Sequence, residues 1–138
     1  MKIIAEIGIN FNQDLKLAKR LIDIASSSGC DFAKFQLFRA NSLYPKSAGK
    51  LDWKDDKGEY SYDIYEAVKS FELPLEWIDE LVEYTQKRDI NFLASVFNFE
   101  DLEIYKELKL DSIKISSYSI TNLPLIEEVA KTKMHIFL

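Results

Sequence analysis

The sequence is poor in the residues that build metal centres and redox sites. One cysteine (Cys30) and one histidine (His135) occur in 138 residues. No intramolecular disulfide can form, and neither a multi-thiolate zinc site nor a multi-histidine site can be assembled from these residues. A catalytic triad would rest on His135 alone, which is more simply read as a structural or exposed side chain. A lone cysteine fits a reducing compartment. Glycine is also scarce, at four residues, and neither GxGxxG nor GxxxxGK[ST] is present, so the glycine-rich phosphate loops are excluded. HExxH and CxxC are absent too. No apolar run approaches the ~18 residues of a membrane span. MKIIAEIGIN is no signal peptide, because Glu6 interrupts its apolar stretch and no small-residue cleavage site follows. Basic charge is not in excess: 18 Lys and Arg stand against 23 Asp and Glu, a net charge of −5. Nucleic acid and anionic membranes are therefore unfavoured partners, although a local basic pocket is compatible with this balance. A soluble, cytoplasmic protein is expected.

What is present is enough for one domain of ordinary size: 47% hydrophobic residues and 30% charged. Short apolar runs alternate with amphipathic segments. Residues 2–9, 31–38, 91–97, 112–117 and 135–138 read as strands. Helices are expected after Asn12 as N-cap, with Leu15, Ala18, Leu21, Ile22 and Ala25 at helical spacing and Gly29 just past the end. Another starts at Pro74, with Trp77, Ile78, Leu81, Val82 and Thr85 on one face. Asn98 caps the next, and the last opens near Thr121–Asn122 with Pro124 in its first turn. Alternation of this kind predicts βαβ units around a parallel sheet. Residues 39–73 break the regularity. They carry Tyr44, Trp53, Tyr60, Tyr62 and Tyr65, and residues 61–71 have the periodicity of a short helix. A connection this long is either a functional lid or an insertion that only covers the mouth of the fold.

The informative residues are polar ones inside strands that should be apolar on both faces. At period two, Glu6, Gly8 and Asn10 share a face of the first strand. Lys34 and Gln36 share one in the second, Leu93 and Ser95 in the third, and Lys114 and Ser116 in the fourth. The opposite faces, such as Ala33, Phe35 and Leu37, suit helix packing. An unpaired buried charge would cost roughly several kcal/mol. Two lysines converging with a glutamate and hydroxyls therefore indicate an anion site at the carboxyl ends of the strands. The competing reading is a structural ion pair of Glu6 with Lys34 or Lys114. Phosphate or carboxylate would be the natural guest.

Four segments, in order and at matching spacing, resemble the sialic acid synthase family, which includes the N-acetylneuraminate, legionaminate and pseudaminate synthases. AEIGINFNQD (5–14) is similar to the family's AEIGxNHNGD, and AKFQLF (33–38) to its KFQ strand. FLASVF (92–97) resembles FxSTPF loosely, and KISSYSITNLPLIEEVAKT (114–132) is similar to KIxSxEITNxPLL. The resemblance implies a parallel (β/α) TIM-type barrel, of which residues 1–138 would be the N-terminal part. About four and a half βα units would be present, with no second domain.

The family's enzymes condense phosphoenolpyruvate with an N-acylated amino sugar, form a nine-carbon 2-keto acid and release phosphate. Residue by residue, the resemblance assigns Lys34, Gln36, Ser95, Lys114 and Ser117 to phosphoenolpyruvate and gives Glu6 and Lys114 the catalytic positions. Asn10 and Asn122 are placed at the mouth. It implies a divalent metal, Mn²⁺ or Mg²⁺, for the complete barrel, polarising the sugar aldehyde, with no ligands in these residues. It further implies a homo-oligomer or pairing with the other half of the barrel. Departures from the motifs are Phe11 for His, Gln13 for Gly, Val96 for Pro and, within the KIxSxE motif, Ser119 for Glu. The alternative is a non-catalytic half-barrel or degenerate homologue that binds a phosphorylated metabolite or a partner subunit. A third reading is a different phosphoenolpyruvate- or aldol-type barrel with a related pocket.

Overall fold

A computed structural model describes all residues, 1–138. Five parallel strands form the main sheet in the order β1-β2-β5-β6-β7. They are β1 (Ile4–Gly8), β2 (Phe32–Leu37), β5 (Asn91–Val96), β6 (Ser112–Ile115) and β7 (His135–Phe137). The strand order never reverses, as it must in a doubly wound sheet, so the winding is that of a βα barrel. Helices α1 (Leu15–Ser27), α4 (Ile78–Gln86), α5 (Phe99–Glu107) and α6 (Leu123–Lys131) connect the strands. Their apolar stripes pack on the outward strand residues: Ala33, Phe35 and Leu37 meet Ala18 and Ile22 of α1 and Leu81 of α4 in one buried cluster. Strand period two and helix period 3.6 thus meet on one side of the sheet and leave the other side to the polar residues.

Local chemistry moves several boundaries from the expected ones. The cap of α1 is Asp14, whose carboxylate accepts from the Lys16 and Leu17 amides at 2.8 and 3.2 Å. Asn12 is not the cap: it and Gln13 take left-handed backbone (φ 48° and 55°) to turn the chain into the helix. Phe11, between them and the strand, is 1% exposed and packs on Phe35 and Trp77 in the core. The helix expected from Pro74 opens with a 3-10 turn, Leu75–Trp77, before α4 begins. β6 ends at Ile115, and Ser117–Ser119 form a 3-10 turn instead of continuing the strand.

The largest correction concerns residues 39–73. They contain a short helix α2 (Ala40–Leu43), an antiparallel hairpin of β3 (Lys50–Asp55) and β4 (Gly58–Asp63), and α3 (Ile64–Lys69). The expected helix over 61–71 is therefore cut to 64–69, with 61–63 in a strand. Asp55 makes the hairpin turn by accepting from the Lys57 and Gly58 amides. Leu51 and Trp53 lie opposite Tyr62 and Tyr60, so one face of the hairpin is aromatic and largely exposed. No helix is long and apolar enough to cross a membrane.

Candidate functional site

Strand register assembles the polar face. Glu6 of β1 lies beside Lys34 of β2. One step further along, Gln36 of β2, Ser95 of β5 and Lys114 of β6 fall in a row across three strands. Residues level in adjacent parallel strands project to the same side, so the sequence period and the register together converge these groups.

Lys34 is the centre of the site. Its residue is only 3% exposed, and its ammonium lies 2.6 Å from Glu6 Oε2 and 3.4 Å from Ser95 Oγ. Burial holds its pKa below the ordinary lysine value; the Glu6 carboxylate opposes that shift and the neighbouring Lys114 charge adds to it. Glu6 itself is 56% exposed at its side chain, so one end of the pair faces solvent. Gly8 makes room for that carboxylate. Its φ is +57°, and a Cβ there would stand 2.8 Å from Glu6 Oε1.

Lys114 differs. It is half-buried, has no carboxylate within 4 Å, and donates only to the carbonyl of its neighbour Ile115 at 3.2 Å. The structural ion pair of Glu6 and Lys34 therefore exists, yet it does not consume the site's charge. Two ammonium groups face one carboxylate, and the surplus is positive.

The remaining expected residues are placed less directly. Gln36 is in the row, partly buried. Ser117 is exposed at the start of the 3-10 turn after β6 and makes no side-chain hydrogen bond to either lysine. Asn10 uses its amide to bond the Ile7 carbonyl at 2.9 Å, and Asn122 caps α6 by accepting from the Leu125 amide at 3.3 Å. Both are turn and cap residues at the carboxyl ends of strands β1 and β6. Ser119 is 4% exposed and donates to the Phe97 carbonyl at 3.3 Å. The groups therefore divide into a converged set (Glu6, Lys34, Gln36, Ser95, Lys114) and a peripheral one (Asn10, Ser117, Asn122).

No three His, Cys, Asp or Glu side chains are grouped to hold a metal. The one carboxylate at the site, Glu6, is already engaged by Lys34. These residues do not fit a divalent metal. A hollow of about 640 Å³ lies at the other end of the strands between Phe32, Thr85, Asn91 and Ser112, with Asp89, Lys109 and Asp111 at its walls. Its two carboxylates outnumber its one ammonium, so it offers no surplus positive charge to an anion.

A buried carboxylate that the strand pattern did not reveal follows β5. Asp101, in the first turn of α5, is fully buried and accepts from the Phe97 amide at 3.2 Å. Burial raises its pKa to about 6, against the pull of Arg39. In the sequence it reads as an ordinary acidic first-turn residue. Its only tell is its position four residues before Tyr105, on the buried face of the helix.

Comparison with known proteins gives a consistent picture. Residues 21–138 match the model of the NeuB family. The chain is 40% identical over 136 residues to an N,N'-diacetyllegionaminic acid synthase of Campylobacter jejuni, covering 99% of this chain and 41% of that protein. It is 36% identical to a pseudaminic acid synthase of Helicobacter pylori, covering 99% of this chain and 40% of the relative. Among solved structures, an N-acetylneuraminic acid (sialic acid) synthetase of Leptospira borgpetersenii, in complex with citrate, superposes with a TM-score of 0.80 at 30% identity. That alignment covers 97% of this chain and 42% of the synthetase. The chain thus spans about two fifths of the length of the relatives it matches.

Proposed function

Because this chain belongs to the NeuB family, whose named relatives are sialic-acid-type synthases, we propose that its polar face binds phosphoenolpyruvate. Within a full-length barrel it would serve the condensation of that substrate with an N-acylated amino sugar, in cytoplasmic carbohydrate biosynthesis. The observation that carries the proposal is the unmatched ammonium of Lys114 beside the desolvated ammonium of Lys34. Together they offer two cationic sites to a substrate with two anionic ends, a phosphate and a carboxylate.

The chemistry asked of these residues is electrostatic. In the reaction, the methylene carbon of phosphoenolpyruvate bonds to the aldehyde carbon of the sugar, water adds at the adjacent carbon, and phosphate leaves. Fixed ammonium groups, that of Lys34 desolvated, stabilise the phosphate as its charge grows with less reorganisation than water requires. Ser95, buried beside the Lys34 ammonium and level with Lys114, donates to a substrate oxygen. The peripheral Ser117, Asn10 and Asn122 reach the mouth from the loops that follow their strands. The metal of the family belongs to residues outside this chain in this reading, and the partner is either a second copy or the remainder of the barrel.

Ser119 favours a second reading. It stands where the resembling motif has glutamate, its hydroxyl is committed to Phe97, and no acidic side chain takes its place beside Lys114. A face with surplus positive charge and no free general acid or base would bind without turning over. Titration calorimetry with phosphoenolpyruvate on this chain, joined to a phosphate-release assay on the full-length barrel with Mn²⁺ and several amino sugars, separates the two readings. Binding with release supports the synthase; binding without release supports the non-catalytic module. Absence of binding, or no effect of Lys114→Ala on it, removes both.

A further inference from the structure

Three loops leave the carboxyl ends of β2, β5 and β6 and border the polar face. One buried carboxylate, Asp101, holds the loop after β5, and the other two loops meet that loop through Phe97, Asn98 and the charge of Arg39. Asp101 Oδ2 accepts from the Phe97 amide at 3.2 Å, immediately after β5. The carbonyl of the same Phe97 accepts from the Ser119 hydroxyl at 3.3 Å, which brings in the segment after β6. Arg39, directly after β2, acts on Asp101 by charge. Asp101 Oδ1 and Arg39 Nε and Nη2 are all buried and have no hydrogen-bond partner. The guanidinium is anchored from its other side, where Nη1 donates to the Leu73 carbonyl at 2.9 Å and lies 3.3 Å from Glu72 Oε2. A second tie runs from the Asn98 amide to Ser42 Oγ at 2.7 Å.

We infer that Asp101 is a positioning residue for the anion site: as a carboxylate it locks the loops carrying Arg39, Phe97 and Ser119 into one rigid rim, and without its charge the rim loosens and anion affinity falls. The inference rests on the anion-site reading above. Ionised Asp101 attracts the buried Arg39 fork and is a strong acceptor for Phe97 N–H. Neutral Asp101 loses the attraction to Arg39 and accepts more weakly. Of the charged side chains on the elements packed around it, Arg39 is the one that acts on Asp101. Glu72 lies beyond Arg39 and is taken up by that guanidinium and the Ala40 amide, and the segment after β6 contributes only the neutral Ser119.

The sign separates this device from simple electrostatics. Losing a negative charge near an anion site should strengthen anion binding by Coulomb's law; a loosened rim weakens it. The test is calorimetric titration with sulfate, whose charge does not change near neutrality, at pH 5.5 and 7.5. A His135→Gln background removes the sole histidine from the comparison. The expected result is affinity lower by about three-fold at pH 5.5, where about a quarter of Asp101 is still ionised, and in Asp101→Asn an affinity that is low and flat with pH. Affinity that is unchanged or higher at pH 5.5, or wild-type affinity in Asp101→Asn, overturns the inference. If sulfate and phosphoenolpyruvate both fail to bind at pH 7.5, the anion-site reading has failed instead. Amide exchange at Phe97 and Ser119 then still tests the clamp. Faster exchange at both positions at pH 5.5 supports it, and pH-independent protection, after correction for intrinsic rates, overturns it.

Discussion

Removing either member of the Glu6–Lys34 pair breaks the same contact, and the structure says the two removals should have opposite effects. Glu6→Gln leaves the Lys34 ammonium buried and without its carboxylate. Breaking a fully buried pair this way costs about 3–5 kcal/mol. Here Glu6 is 56% exposed, so screening reduces the loss to about 2–3 kcal/mol. At about 4 °C per kcal/mol for a chain of this size, the melting temperature should drop by about 8–12 °C. Lys34→Met removes the buried charge instead and keeps the apolar stem. Glu6 is returned to water at little cost, and the penalty of desolvating an ammonium disappears. The expected change lies between zero and a gain of about 2 kcal/mol, because replacing buried ionic groups with apolar ones is often neutral or stabilising.

The pH dependence carries an independent sign. Burial lowers the Lys34 pKa in the folded state, so the folded protein gives up this proton more readily than the unfolded chain. The destabilisation is therefore fully present below the folded pKa and recedes as pH rises from there toward 10.5. The stability advantage of Lys34→Met over wild type should narrow over that window. Urea denaturation at several pH values, with and without phosphoenolpyruvate, measures all of it. A ligand at about 100 times its dissociation constant should stabilise wild type by about 2.7 kcal/mol and leave Lys34→Met unmoved. If Lys34→Met is destabilised as much as Glu6→Gln, or still responds to ligand, the account of Lys34 as a strained anion anchor is wrong.

Three further outcomes follow from the same geometry. Gly8→Ala forces a side chain into left-handed backbone and against Glu6 Oε1; a loss of about 1–2 kcal/mol in urea midpoint analysis is expected, with weakened anion binding, and a neutral substitution would refute the close approach. Asp101 should make stability rise as pH falls from neutrality through about 6 toward 3.8, because its raised pKa means the folded state binds the extra proton; the swing is about 3 kcal/mol, and Asp101→Asn should abolish it. If the hairpin closes over a bound ligand, amides of residues 60–65 gain protection from hydrogen exchange when phosphoenolpyruvate is added, and unchanged exchange rejects that role.

The sheet was legible because both of its faces follow period two. Ala33, Phe35 and Leu37 against Lys34 and Gln36 specified which way β2 faces before any register was known, and register then aligned Gln36, Ser95 and Lys114. The hairpin was not legible, for a physical reason. Leu51, Trp53, Tyr60 and Tyr62 do alternate, but their shared face is exposed, so the pattern does not point to a core. The helical spacing of Ile64, Val68 and Phe71 competes with it at the junction. The cap of α1 was misplaced because Asn12 and Asp14 are both good caps, and the left-handed pair at Asn12 and Gln13 decides between them. The charge effect of Arg39 on Asp101 escaped because it depends on loops from different strands, which no local pattern encodes.

The two lysines also differ in a way that bears on how a guest would enter. Lys34 already has a counter-ion that can move: Glu6 is tethered only by β1 and is half in water. Lys114 has none. A singly charged anion would neutralise the surplus at Lys114 and leave the Glu6–Lys34 pair intact. A guest with a second anionic end must compete with Glu6 for the buried ammonium, and it gains more from that ammonium because the site is desolvated. Net stability of a domain is only about 5–15 kcal/mol, so a buried lysine that costs a sizeable part of it is a poor structural device. It makes physical sense as an anchor whose cost a doubly anionic guest offsets on binding.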